Sequence, residues 1–268
     1  MSTLRSQNPA FGAFGQYNDG SMTQTRTNTM TIGGTVTATT ILLSIVAAVG
    51  VFTFQQIASG GSLVKYLMPL LIGSFIAGIV VSFVIYAKPK LAMYIAPVHA
   101  VLEGVFVGAL SYFIPMQFLG SSADPSTGSN SMQMLILQAV VATFAITAGM
   151  LTGYATGILR LSGFMKKLMF TMVMGLVLYV VALFVLQMFG VGIWNGYADT
   201  GLLGIGFTGF CVVLASLFLL WDFEYIERGV QAGAPKYMEW VGAWGLMVTL
   251  VWLYIEILRL LSKLQSRD

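Results

Sequence analysis

Charge is what this sequence has least of. Asp, Glu, Lys and Arg make up 9% of its 268 residues, where soluble domains carry about 25%. So few charges cannot coat a water-facing globule, and 57% of the chain is hydrophobic. The bilayer is therefore the expected solvent. Cysteine is nearly absent as well. Cys211 stands alone in an apolar run, which excludes an internal disulfide and a cysteine metal cluster. His99 is the only histidine, too few for an HExxH zinc site. No Gly-x-Ser-x-Gly elbow accompanies it, and no glycine-rich phosphate loop precedes a helix. The last apolar run offers no lysine before Lys263 for a retinal Schiff base. These absences argue against an enzyme and against a cofactor. The net charge of +3 and pI near 9.0 would elsewhere suggest nucleic acid. Here the basic residues fall between apolar runs, where they set orientation, so no nucleic-acid partner is expected.

What the chain does have is seven long apolar runs, at about 32–58, 64–87, 91–118, 133–158, 167–190, 202–226 and 239–262. A spanning helix needs about 20 apolar residues, and each run meets that length. None shows the short alternating pattern of a barrel strand. In lipid the backbone must satisfy itself, so each run is expected to be a helix. The expected fold is all-α: a polytopic membrane protein, one bundle of seven helices. The first thirty residues are polar and lack the apolar core of a secretory signal. They read as a polar cytoplasmic tail (1–30) ahead of a transmembrane domain (31–268). Residues 119–131 and 191–201 are the clearest loops, rich in Gly, Ser or Pro.

Lys and Arg set the orientation. Arg5, Arg26, Lys88, Lys90, Arg160, Lys166, Lys167, Arg228 and Lys236 fall on one side. Only Lys65 lies in the connections of the other. The N-terminus is therefore expected in the cytoplasm. Arg259, Lys263 and Arg267 disagree, because they fall outside if run seven spans. Either the rule is overridden there, or run seven does not fully cross. Small residues mark helix contacts: Gly149, Gly153 and Gly157; Gly104 and Gly108; and Gly201, Gly204, Gly206 and Gly209. Pro69 and Pro97 fall inside runs two and three, where each removes a backbone donor.

Ionisable groups inside a membrane are functional candidates, because each is expensive to bury. They are His99, Glu103, Asp222 and Glu256. His99 and Glu103 are four residues apart on one helix face. They suit a proton relay, two cation ligands, or a structural polar pair. Asp222 lies about 9 Å inside the basic edge marked by Arg228. Glu224 and Glu227 lie nearer the surface, where Glu224 can pair with Arg228. Glu256 falls near the far interface if run seven spans, with Arg259 on the same face as a local partner.

The stretch LLWDFEYIERG, Leu219 to Gly229, closes run six. With NPAF (Asn8 to Phe11), APVHAVLEG (96–104) and GAPKYMEWVGAWGLMVTLVWLYIEILRLL (233–261), it resembles the Bax inhibitor-1 family, also called the transmembrane Bax inhibitor motif family, in its bacterial branch. The resemblance covers nearly the whole chain. It implies six helices around a central seventh, in a bacterial inner membrane. It also implies a pH-sensitive calcium leak, or else a non-conducting regulator that binds a membrane protease or another membrane protein. The family gate pairs an aspartate late in helix six with one in helix seven. Asp222 matches the first. A register anchored on Ile257–Arg259 puts Thr249 at the second place, and one anchored on Tyr237 puts Met247 there. Neither is acidic. Depth along the helices then suggests Glu103, with His99 beside it, as the replacement. The expected ion or proton pathway holds Asp222, Glu103, His99 and Glu256. Asp222 and Glu103 would form a weak cation site for calcium or protons.

Overall fold

The structure, a computed structural model, describes residues 28–60, 62–120 and 131–267. The NPAF motif and most of the polar tail lie outside the described residues. Seven helices long and apolar enough to cross a membrane form the fold, with no strands among the described residues. They are α1 (Ile32–Ala58), α2 (Leu67–Ala87), α3 (Ala92–Leu119), α4 (Ser131–Ala155), α5 (Gly163–Met188), α6 (Leu202–Gln231) and α7 (Met238–Gln265). The bilayer-as-solvent argument places their apolar faces outward, and large side chains such as Phe83, Phe170 and Phe184 are exposed there. Hydroxyls inside the helices bond back to their own turn, as Thr39 does to the Thr35 carbonyl at 2.8 Å. That leaves few polar groups facing lipid.

The seventh helix is the core. Of its apolar window 67% is buried, against 11% for α5. It packs against α1, α3, α4 and α6. The other two helices stand further out: α2 packs mainly on α3, and α5 on α6. The ring directly on α7 thus has four helices rather than six. Its 28 residues extend about 42 Å, enough to cross.

Two sequence signals fall differently. Pro69 is the third residue of α2. Its missing N–H lies in the first turn, where no intrahelical acceptor exists anyway. Pro97 does lie inside α3, as does Pro115. Gly104 and Gly108 make the expected close contact, with α3 against α1. Gly149 faces open space, and Gly153 meets only Leu159 of its own chain segment. The run-four glycines are therefore no helix interface. The run-six glycines are likewise no close helix contact. Gly204 meets Asp199 of the preceding loop, and Gly206 and Gly209 meet nothing.

Both ends of the bundle are tied. At the end carrying the α2–α3, α4–α5 and α6–α7 connections (the tail end), residues 28–31 lie on the α6–α7 turn. Met30 N–H donates to the Ala234 carbonyl at 2.7 Å, and Lys236 N–H to the Asn28 carbonyl at 2.9 Å. Thr31 caps α1: its Oγ1 accepts from Gly34 N–H at 2.9 Å. That hydroxyl donates to buried Glu239 Oε1 at 2.8 Å, and Thr31 N–H donates to the same oxygen at 3.0 Å. A carboxylate from α7 thus sits at the positive end of α1. Glu239→Ala is expected to cost about 1–2 kcal/mol, the worth of a cap plus a helix-end charge. Thermal unfolding in detergent checks it, and an unchanged midpoint would count against the tie.

Candidate ion pathway beside the central helix

Asp222 sits on α6, nine residues before its end, about 14 Å in from the tail end. It faces α7. The Thr249 hydroxyl interacts with its carboxyl group. A Cβ on Gly245 would stand 3.9 Å from Asp222 Oδ1, an ordinary contact, so that oxygen lies close to the α7 backbone. Asp222 Oδ2 is buried and has no hydrogen-bond partner among the described residues. Asp222 therefore meets Thr249 on the central helix, not the expected Glu103.

His99, on α3, is drawn to α2. Its Nε2 lies 3.0 Å from Ser82 Oγ. Gly78 makes room, since a Cβ there would be 3.8 Å from Nε2. The Ser82 hydroxyl already donates to the Gly78 carbonyl at 2.8 Å, so it accepts from the ring. The ring stands edge-on to Trp244 of α7, with centroids 6.0 Å apart at 85°. Glu103 shares the helix face of His99 but shows no bond to it. Glu103 is half-buried and has no hydrogen-bond or ionic partner among the described residues. Adjacency on a face thus did not make a pair, because α2 offers the imidazole a closer partner.

Four buried polar atoms at this level have no protein partner among the described residues: Asp222 Oδ2, Glu224 Oε2, His99 Nδ1 and Trp244 Nε1. They come from α6, α3 and α7. Measured along their helices, Asp222, His99, Trp244, Thr249 and Glu103 all lie about 9–17 Å from the tail end. Buried polar groups are normally satisfied, so four in one layer need an explanation. No cluster of three His, Cys, Asp or Glu fit for a metal occurs among the described residues.

From this layer toward the tail end, charges pair. Glu224 Oε1 accepts from Lys166 Nζ of α5 at 2.6 Å and also pairs with Arg228. Glu227 accepts from Tyr154 of α4 and from Gln231. Glu224, Glu227, Arg228, Tyr154, Gln231 and Arg160 line a polar cavity of about 400 Å3. The expected surface pair of Glu224 with Arg228 exists, joined by a lysine from a second helix.

At the opposite end α7 carries Glu256, Arg259 and Lys263. Glu256 Oε2 pairs with Arg259 at 2.8 Å, the local partner foreseen, and Trp252 Nε1 donates to Oε1 at 3.3 Å. Arg259 lies over the Tyr197 ring, 4.5 Å from its centroid. Lys263 is fully buried. It donates to the carbonyls of Gly196 at 2.6 Å and Gly204 at 3.1 Å, and to Thr208 Oγ1 at 2.9 Å. The loop before α6 is held there by Asp199, which accepts from Gly201 N–H at 2.9 Å and Trp194 Nε1 at 3.0 Å. Those two bonds, the backbone one first, hold its carboxyl below the usual range. Glu256 is thus remote from Asp222 and is paired with Arg259 near the far end. Its neighbour Lys263, like Glu239, was not among the candidates. The charge-rule anomaly in run seven was the signal for Lys263.

The family described as Bax inhibitor 1 like matches residues 8–266. The chain belongs to the Bax inhibitor-1 family. No curated protein and no solved structure matched it. A member of this family is expected to carry two acids facing each other on helices six and seven. Here Thr249 occupies the facing position on α7. In this Bax inhibitor-1 family chain Thr249 is thus the α7 side chain against Asp222. Met247 instead lies fully buried in the core.

Proposed function

We propose that this protein passes cations, calcium ions or protons, across a membrane along the polar layer beside α7, and that it is a conduit rather than an enzyme. Asp222 is the group whose charge state controls passage. Glu103 adds a second negative charge at similar depth. The tail end faces the cytoplasm, as the basic connections favour, and the membrane is a bacterial inner membrane. The observation carrying this reading is the Asp222 carboxyl group beside Thr249, whose buried Oδ2 has no hydrogen-bond partner among the described residues. A charge in hydrocarbon persists where it meets water, a proton or a cation. A carboxylate attracts a passing cation when ionised and loses that attraction when protonated. It also alters its grip on α7 through Thr249.

Calcium flux into dye-loaded liposomes, followed across neutral pH, tests the reading. Asp222→Asn is expected to lower the flux at least about tenfold, since one nearby charge is worth several kcal/mol in a poorly screened site. It is also expected to abolish the pH response. Glu103→Gln is expected to give a smaller fall. Unchanged flux and pH response in both variants would sink the proposal. So would a wild type that carries no ion, which would favour a regulator that binds another membrane protein.

A further inference from the structure

An apolar opening lies away from this layer. Helices α1 and α4 both pack on α7, and between them runs a cavity of about 360 Å3. Its floor is Val46, Leu250, Val251 and Tyr254, all buried. Its lips are Val51, Leu137 and Phe144, all exposed. Polar floor atoms are already paired. The Ser111 hydroxyl donates to the Val107 carbonyl at 2.7 Å and meets Tyr254 Oη at 2.7 Å. Thr143 donates to the Ala139 carbonyl at 2.7 Å. A floor with no free polar group does not hold water.

Dimensions identify the occupant. The cavity follows α1 from Leu43 to Phe54 and α4 from Gln133 to Phe144. Each stretch rises about 16 Å. That is about half of the roughly 30 Å hydrocarbon core, the reach of one leaflet. It is also the correct half. Leu43 lies about 16 Å along α1 from the tail end, and Phe54 close to the far end. Gln133, exposed and third in α4, marks the interface. The volume holds about a dozen groups the size of a water molecule, which has a share of about 30 Å3. We propose that this groove seats one acyl chain of a phospholipid from the far leaflet, its headgroup beside Gln133 and its chain end at Leu43 and Phe144. The chain rests on the Ser111–Tyr254 link between α3 and α7, so the lipid contacts the central helix directly. This site is separate from the polar layer.

Full-length protein in vesicles containing photoactivatable phosphatidylethanolamine tests this. A diazirine near the chain end is expected to label Leu43 and Phe144. One near the glycerol is expected to label Phe54 and Gln133. Ala47→Phe on the lip and Val140→Trp inside should each reduce that labelling severalfold. Val181→Trp, on the outer face of α5, should not. If Val140→Trp fails to fold, Ala47→Phe still decides. Labelling that ignores the fillers, loses the depth register, or is equally dense on α5 overturns the proposal. Labelling by a diazirine fatty acid but not by the phospholipid probe overturns it too.

Discussion

Replacing Lys263 by Met is expected to destabilise the bundle by about 3 kcal/mol and to free the loop before α6. A fully buried ammonium is costly unless its donors are used. Here all three are, on Gly196, Gly204 and Thr208. Hydrogen bonds to a charged group contribute about 1.5–3 kcal/mol each, and part of that is offset by desolvation of the charge. Met fills the volume but leaves the Gly196 carbonyl without its ammonium donor. Gly204 loses less, because its carbonyl also accepts from Thr208 Oγ1 at 2.9 Å. The net loss should therefore be nearer one strong bond than three. Lys263→Glu should be far worse, since a carboxylate would face carbonyl oxygens. Chemical unfolding in micelles measures the first effect. Hydrogen exchange over 194–204 measures the second and should rise locally in the Met variant. An unshifted midpoint with unchanged exchange would show that the ammonium bonds are not needed.

Lys263 also shows where sequence reading stopped. The number, length and order of the helices were legible, because hydrophobic length in a membrane is a strong constraint. The basic connections were legible for the same reason. That α7 is central came from the family resemblance, and its burial bears this out. The last turn of α7 broke the charge rule, and the sequence offered only two ways out. The structure supplies a third term. A lysine that donates all its hydrogen bonds inside the protein is no longer a surface charge and need not obey a rule about surfaces. Partners were the illegible part. Depth placed His99, Glu103 and Asp222 in one layer, but it could not say which way each side chain turns. Ser82 takes the imidazole, and Thr249 takes the aspartate. Neither is acidic or basic, so a search for charges passes over both. Glu239 was missed for the converse reason. An acid in the first turn of a helix is ordinary, and only the arrival of Thr31 from another helix gives it a role.

Gly108→Val is expected to be among the most damaging substitutions in the chain, while Gly149→Ala should be neutral or stabilising. The two glycines look alike in sequence, each in a four-residue small-residue repeat. Around them the structure differs. A Cβ on Gly108 would overlap the Gly50 carbonyl and come within 2.8 Å of Thr53 Cβ. A Cβ on neighbouring Gly104 would stand 2.7 Å from Val49 Cβ. Much of what it meets is backbone and Cβ of α1, which cannot rotate away. The helices must part along their shared face. Overpacking in a tight core costs about 1–3 kcal/mol, and a clash with backbone should fall at or above the top of that range. Gly149 meets nothing within 4 Å. Alanine there gains up to about 1 kcal/mol of helix preference. Unfolding midpoints of the two variants, measured in the same micelles, should move in opposite directions or leave Gly149→Ala unmoved. If both fall equally, the α1–α3 contact is looser than its geometry. Because α1 also forms one wall of the apolar groove, Gly108→Val should change acyl-chain labelling at Leu43 and Phe54. Gly149→Ala, beyond the groove on α4, should leave that labelling as it is.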